Sequence, residues 1–176
     1  MKPKNLKTHI PISALFTAVI CIISQISFIT PVGIPITMQV LAVALCGYVL
    51  GARWGTATVV TYILAGAVGL PVFSGFKGGI HNLFGPTGGF ISGFIILSFL
   101  CGITLKRNNP LIKISIGLAG VVLCHLFGVV QYSIISKIGI AAAFVSASLP
   151  FLLKDVIFVI AAYYLSQKIK KVINRK

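Results

Sequence analysis

Apolar residues fill this chain in six long stretches, and polar residues gather in the gaps between them. The stretches run about 10–29, 36–50, 54–70, 87–105, 111–136 and 149–166. A helix that crosses a bilayer needs about 20 predominantly apolar residues. Four stretches have that length. The second and third are short, and Gly51-Ala52-Arg53 joins them as a tight turn. The stretches are continuous rather than alternating, which argues against a transmembrane barrel. The pattern predicts an all-α integral membrane protein with six transmembrane helices, built as a single membrane domain over residues 1–176.

Composition strengthens that picture. The chain is 57% hydrophobic and 9% charged, with a mean hydropathy of +1.06. Soluble domains carry about 25% charged residues. The first stretch is too long for a signal-peptide core, and no small-residue cleavage site closes it. It reads as the first membrane helix. The four cysteines, Cys21, Cys46, Cys101 and Cys124, fall in separate apolar stretches without a CxxC pair. They read as small core residues, not as a metal site or a disulfide framework.

The net charge of +14 changes the picture only through its placement. No basic stripe with interleaved aromatics is present, so nucleic acid is not an expected partner. The basic residues lie at both ends and in short loops. With six spans and the N-terminus inside, the cytoplasmic segments hold Lys2, Lys4, Lys7, Arg53, Lys106, Arg107, Lys113, Lys168, Lys170, Lys171, Arg175 and Lys176. The outer segments hold Lys77, Lys137 and Lys154. Twelve against three predicts a multi-pass protein of the cell membrane with both termini in the cytoplasm. Attraction to anionic lipid headgroups of the bilayer is a secondary consequence.

Against fifteen Lys and Arg stands one acid, Asp155, at the start of the last apolar stretch. A carboxylate in or near hydrocarbon is costly unless paired, hydrated or hydrogen-bonded, and such groups mark functional sites. The plainer reading is a helix N-cap or a local pair with Lys154. Pro71–Pro86 is a second candidate region. It is rich in Gly yet still apolar, and irregular backbone at membrane depth is tolerated where it lines a cavity or is buried in protein. Gly75, Gly78, Gly79 and Gly85 beside Phe73, Phe76 and Phe84 suggest a gate that packs over something apolar. An ordinary re-entrant connection fits the same composition.

Other polar residues carry weaker signals. Pro31 and Pro35 set a non-helical approach to the second helix, with Thr37 and Gln39 following near the outer surface. These two either bond the polar head of a ligand or cap and bridge helices. Gln25, His125 and Gln131 are each expected to find an interhelical partner. His81 and Asn82 lie in the Gly-rich loop on the same side as Asp155. Ala14 and Ala18, four apart, share a face of the first helix. They allow a close approach, by a partner subunit or by a neighbouring helix. No metal-ligand spacing, HExxH, Ser-His-Asp set or carboxylate pair is present, so acid–base catalysis by paired carboxylates is excluded. No phosphate-binding P-loop exists, so energy from ATP would have to come through other chains.

Several of these residues together resemble the BioY family. The carriers are Gly69-Leu70-Pro71-Val72-Phe73, then Gly85-Pro86-Thr87-Gly88-Gly89-Phe90 and Gly93-Phe94. Pro35-Ile36-Thr37-Met38-Gln39 resembles the family's motif before the second helix, and Leu149-Pro150-Phe151 with Asp155 its last motif. The resemblance covers nearly the whole chain. It implies an S component of an energy-coupling factor transporter: a six-helix subunit that binds biotin from outside. It further implies association with a membrane coupling subunit and two cytoplasmic ATPase subunits. No cofactor bound by this chain is implied, biotin being the ligand. By resemblance, Ala14 and Ala18 form the docking face for the coupling subunit, and 71–86 becomes a gate above the vitamin pocket.

Biotin's chemistry suits the candidates. Asp155 accepts from the ureido N–H groups, and Asn82 serves the ureido carbonyl through its NH2 group. Phe73, Phe76 and Phe84 enclose the rings. A cation suits the carboxylate, and there the chain departs from the family. The family commonly has Pro-Gly before the Asp and a Lys three residues after it; here Leu153-Lys154 precedes and Phe158 follows. Positions 154 and 158 share a helix face. Lys154 therefore either meets the ligand carboxylate at the pocket mouth, pairs locally with Asp155, or points to the headgroups. The changed charge geometry leaves room for a biotin precursor or another small vitamin. A membrane enzyme or a purely structural membrane partner is a remote alternative.

Overall fold

The computed structural model describes residues 6–29 and 35–174. Lys2, Lys4, Arg175 and Lys176, the side chain of Lys7, and the Pro31–Ile34 part of the approach to the second helix lie outside the described residues. Six helices follow in order: α1 (Leu6–Gln25), α2 (Gln39–Ala67), α3 (Gly88–Ile103), α4 (Pro110–Ser136), α5 (Ile140–Ala147) and α6 (Leu149–Asn174). A small antiparallel hairpin, β1 (Ser27–Ile29) and β2 (Pro35–Thr37), connects α1 to α2, with Phe28 opposite Ile36. Helices α3, α4 and α6 are each long and apolar enough to cross a membrane, and α2 is also apolar enough but folds back on itself at Gly51. This is a multi-pass membrane protein.

Helix α2 is a helical hairpin. Gly51 has φ +84° and ψ 173°, a backbone state that L side chains rarely adopt. The chain reverses there. A Cβ on Gly55 would come within 2.9 Å of Gly47 Cα, and Gln39 Nε2 donates to the Tyr62 hydroxyl at 2.7 Å across 23 residues. A straight helix would hold those two about 34 Å apart. The two arms, 39–50 and 52–67, are the second and third predicted spans, and the expected turn at 51–53 is where they meet. The first arm is buried almost all round, including Ala42, Val43, Ala44, Cys46 and Tyr48. That explains its unbroken apolar composition and its length: it is the centre of the bundle, not a lipid-facing rod.

The sequence pattern placed the first helix through residue 29 and the second from residue 36. Instead α1 stops at Gln25, and both ends of those stretches enter the β-hairpin. Phe28, Ile29, Ile36 and Thr37 favour extended chain, and a continuous apolar run does not reveal where a helix stops. Helix α5 was not anticipated either. It is short, and it buries Ala143 and Ala147 in a small cluster with Val129, Tyr132 and Phe151. Helix α6 extends past 166 to Asn174, carrying Lys168, Lys170 and Lys171; no breaker interrupts it.

Small residues bring α3 against α4. A Cβ on Gly93 would come within 2.7 Å of Cys124 Cα, and one on Gly89 would collide with the Phe127 carbonyl. The Gly-Pro-Thr-Gly-Gly segment is therefore a packing device that starts α3 directly beneath α4. Leu126, Val130 and Ile134 on α4, with Leu153 and Ile157 on α6, face outward and exposed, as residues that meet lipid must.

Candidate functional site

The residues singled out in α6 and in the outer connections meet around one cavity. It occupies about 810 Å³, counting the part open at its mouth. Its apolar wall comes from Phe73, Phe90, Ile91, Phe94 and Phe151, drawn from the outer loop, α3 and α6. Its polar wall includes Thr37, Gln39, Lys77, Asn82, His125 and Asp155, with Lys154 beside them. A few polar groups converging on aromatic walls is the usual make-up of a small-molecule site.

Asp155 is only 4% exposed, so it needs partners. It has two. Lys154 Nζ lies 2.5 Å from Oδ1, and His125 Nε2 lies 3.0 Å from Oδ2. Behind the imidazole, Nδ1 is 2.8 Å from the hydroxyl of Ser148, which is fully buried between α5 and α6. A carboxylate is acceptor-only. In the neutral ring this fixes the proton on Nε2, with the Ser148 hydroxyl donating to Nδ1. Phe90 packs edge-on against His125 at 5.6 Å. The acid is thus held from both sides, and lone pairs on its oxygens remain for a ligand donor.

Lys154 does more than pair. Its amine donates to the Thr37 carbonyl at 2.7 Å and sits 4.9 Å from the centre of the Phe158 ring. It ties α6 to β2 and covers the ring that stands where the BioY pattern has a lysine. Of the three expectations for Lys154, local pairing with Asp155 is the arrangement found. Thr37 and Gln39 are buried in the same wall. Thr37 Oγ1 donates to Gln39 Oε1 at 2.9 Å, and Gln39 passes the chain on to Tyr62. Tyr62 stands edge-on to Phe73, at 5.6 Å between ring centres.

The outer connection is a built element rather than a slack loop. Phe73 and Lys77 pair their backbones, and Ile80–Asn82 forms a 3-10 turn. Gln25 Oε1 accepts from the Phe76 N–H at 2.8 Å, while its Nε2 donates to the carbonyls of Val72 and Phe73 at 3.2 Å each. Gln131 Nε2 donates to the carbonyls of Leu83 and Gly85, both at 2.8 Å. The two glutamines do find partners beyond their helices, but those partners are loop carbonyls and not another helix. Among the gate glycines, Gly75 and Gly79 have φ of +72° and +99°, and Gly78 packs against the Leu70 carbonyl. Gly85 has neither demand: a Cβ there would find its nearest atom at 3.4 Å.

Two expectations about this loop are corrected. Phe76 and Phe84 do not enclose the cavity; they are 73% and 71% exposed, because the turn that buries Phe73 leaves both rings outside. Phe90, Phe94 and Phe151 take that role instead. Asn82 does line the cavity, but its NH2 group donates to the carbonyls of Gly78 and Gly79 at 2.8 and 3.2 Å. What it can offer a ligand is its carbonyl oxygen, an acceptor. Sequence reasoning missed His125 and Ser148 as supports of the acid. A signal existed: an ionisable ring in an apolar helix needs a partner, and the chain holds one acid.

Ala14 and Ala18 lie away from this cavity. Both are exposed on α1, whereas Phe16 and Ile20 between and beyond them are buried in the bundle. They do not serve internal packing.

Pinned polar groups inside an apolar-walled cavity of a membrane bundle define an integral-membrane protein that binds a small molecule. Comparison with known proteins supplies the family. The BioY family model matches residues 1–175, and the chain belongs to the BioY family. The biotin transporter BioY of Thermotoga maritima is 37% identical over 161 residues, covering 90% of this chain and 94% of that protein. The probable biotin transporter BioY of Pyrococcus horikoshii is 35% identical, covering 92% and 96%. A crystal structure of the S-component for biotin from an ECF-type ABC transporter superposes with a TM-score of 0.88 at 27% identity, covering 97% of this chain and 95% of that one. These relatives are transporters, so the chain is a transport protein and not an enzyme.

Proposed function

We propose that this chain is the S component of an energy-coupling factor transporter, capturing biotin from outside the cell and delivering it with an ATP-driven module. The observation that carries this reading is Asp155: a buried carboxylate, oriented by His125 and Lys154, facing a cavity walled by Phe73 and other aromatic rings. A ureido ring presents two N–H donors to such an acceptor, and a charge-assisted bond is stronger than a neutral one. Asn82 contributes a further acceptor to the polar wall, which Thr37 and Gln39 also shape. Lys154 orients the acid. The outer loop, set by Gly75, Gly78 and Gly79 and closed toward Gly85, acts as the gate.

The remaining parts follow the same reading. A single membrane domain is inserted in the cell membrane with both termini in the cytoplasm, so the cavity opens outward. Ala14 and Ala18 receive a membrane coupling subunit, which two cytoplasmic ATPase subunits drive; their exposure on α1 supports this docking face. The deciding experiment is direct binding of biotin to the purified protein, with unrelated vitamins as controls. Saturable binding of biotin alone is expected. Equal binding of the controls, or none of biotin, would overturn the proposal.

A further inference from the structure

Of the lysines and arginines among the described residues, two line the cavity: Lys154 and Lys77. A biotin molecule has a carboxylate at the far end of a four-methylene chain from its ureido head. The cation that receives this carboxylate cannot be in contact with the group that receives the head. Lys154 Nζ is 2.5 Å from Asp155 Oδ1. If the head bonds Asp155, Lys154 is at the head as well. The reversed orientation would place the ligand carboxylate against Asp155, two like charges sharing one lysine, which is strongly disfavoured. Lys154 is also committed to the Thr37 carbonyl.

We propose that Lys77, in the outer loop, is the residue that selects for a free carboxylate on the ligand. This rests on the biotin reading and names the specificity element it lacks. Lys77 is exposed where the cavity opens, and its backbone is fixed by pairing with Phe73, whose ring forms the wall below. Among the described residues its amine has no hydrogen-bond partner. The two lysines that line the cavity thus have separate tasks. Lys154 holds the acid, and Lys77 meets the tail at the mouth. Because Lys77 is in solvent, its pairing with the tail is screened by salt.

The test compares biotin with biotinamide, which lacks only the charge, on the purified full chain. Lys77→Ala is expected to weaken biotin roughly three- to tenfold, between an exposed ion pair and a charge-assisted hydrogen bond. Biotinamide affinity should stay within about twofold, and Lys77→Arg should restore the preference for biotin. Raising salt should erode that preference in the wild type and leave Lys77→Ala unaffected. Lys154→Ala should instead weaken both ligands alike. Equal losses of biotin and biotinamide in Lys77→Ala, or no loss of either, would overturn the assignment while leaving biotin binding intact. A wild type that binds neither ligand would overturn the biotin reading and this assignment with it.

Discussion

Replacing Asp155 by Asn keeps the shape of the side chain and removes its charge. The surroundings can absorb that change. With an amide at 155, Oδ1 accepts from Lys154 and the NH2 group faces His125 Nε2. The imidazole can then move its proton to Nδ1 and donate to Ser148, whose hydroxyl accepts as readily as it donates. The 2.8 and 3.0 Å contacts of His125 both survive with reversed polarity. Lys154 keeps the Thr37 carbonyl. The variant is therefore expected to insert and fold. Binding is another matter. A charge-assisted bond contributes about 1.5–3 kcal/mol, a neutral one about 0.5–1.5. In addition, an NH2 group turned toward a ureido N–H is a donor facing a donor, which leaves a buried group unpaired at a cost of about 1–3 kcal/mol. The sum is about 2–4 kcal/mol, or roughly 30- to 1,000-fold in Kd at 1.4 kcal/mol per decade. Calorimetry in detergent or nanodiscs reads the affinity, and thermal unfolding of the ligand-free variant checks the fold. A variant with wild-type melting and a biotin affinity within about threefold of wild type would refute the placement of the ligand head on Asp155.

Two further outcomes follow from the fold. Gly51→Ala forces an L residue to φ +84° and sets its Cβ 2.5 Å from Leu105 Cδ1; a loss of about 1–3 kcal/mol is expected from the backbone alone. A lowered melting temperature in detergent checks it, and unchanged melting would show that the α2 turn is not strained by a side chain. Ala14→Leu with Ala18→Leu fills an exposed face of α1 that the bundle does not use. Biotin affinity should stay within about twofold while co-purification with the coupling subunit and uptake are lost; retained uptake would remove these alanines from the docking surface.

Some of the fold was legible because its cause is local. The turn at Gly51-Ala52-Arg53 breaks two short apolar runs, and only a glycine adopts the backbone state found there without strain. The boundary of α1 was not legible, since Ile26 to Ile29 continue the apolar run and nothing in their hydrophobicity distinguishes the last helical turn from a strand. What decides it is pairing with Pro35–Thr37, a contact between segments. Helix α5 is set in the same way, by Ala143 and Ala147 fitting against α4. Phe76 and Phe84 show the limit for side chains: an apolar loop implies burial only on average, both rings are exposed, and positive φ at Gly75 and Phe76 accompanies the outward turn of the first.

The site divides along the same line. Asp155 stood out because one acid in an apolar, basic chain is a chemical anomaly that needs no structure to notice. Its neighbours are fixed by which helices lie side by side, and that is a property of the bundle. His125 on α4 and Ser148 before α6 are 30 and 7 residues away along the chain, yet they form one chain of hydrogen bonds with the acid. The Lys154–Asp155 pair is a different case. Adjacent residues on a helix do not face each other, so helix geometry alone argues against this contact. It forms because the lysine stem is long enough to bend back across the helix, and because the Thr37 carbonyl and the Phe158 ring hold the amine there. A lysine at 154 is therefore not equivalent to the lysine that the family resemblance leads one to expect at 158. The aromatic ring at 158 supports a cation that has turned toward the acid, which leaves Lys77 as the other lysine lining the cavity.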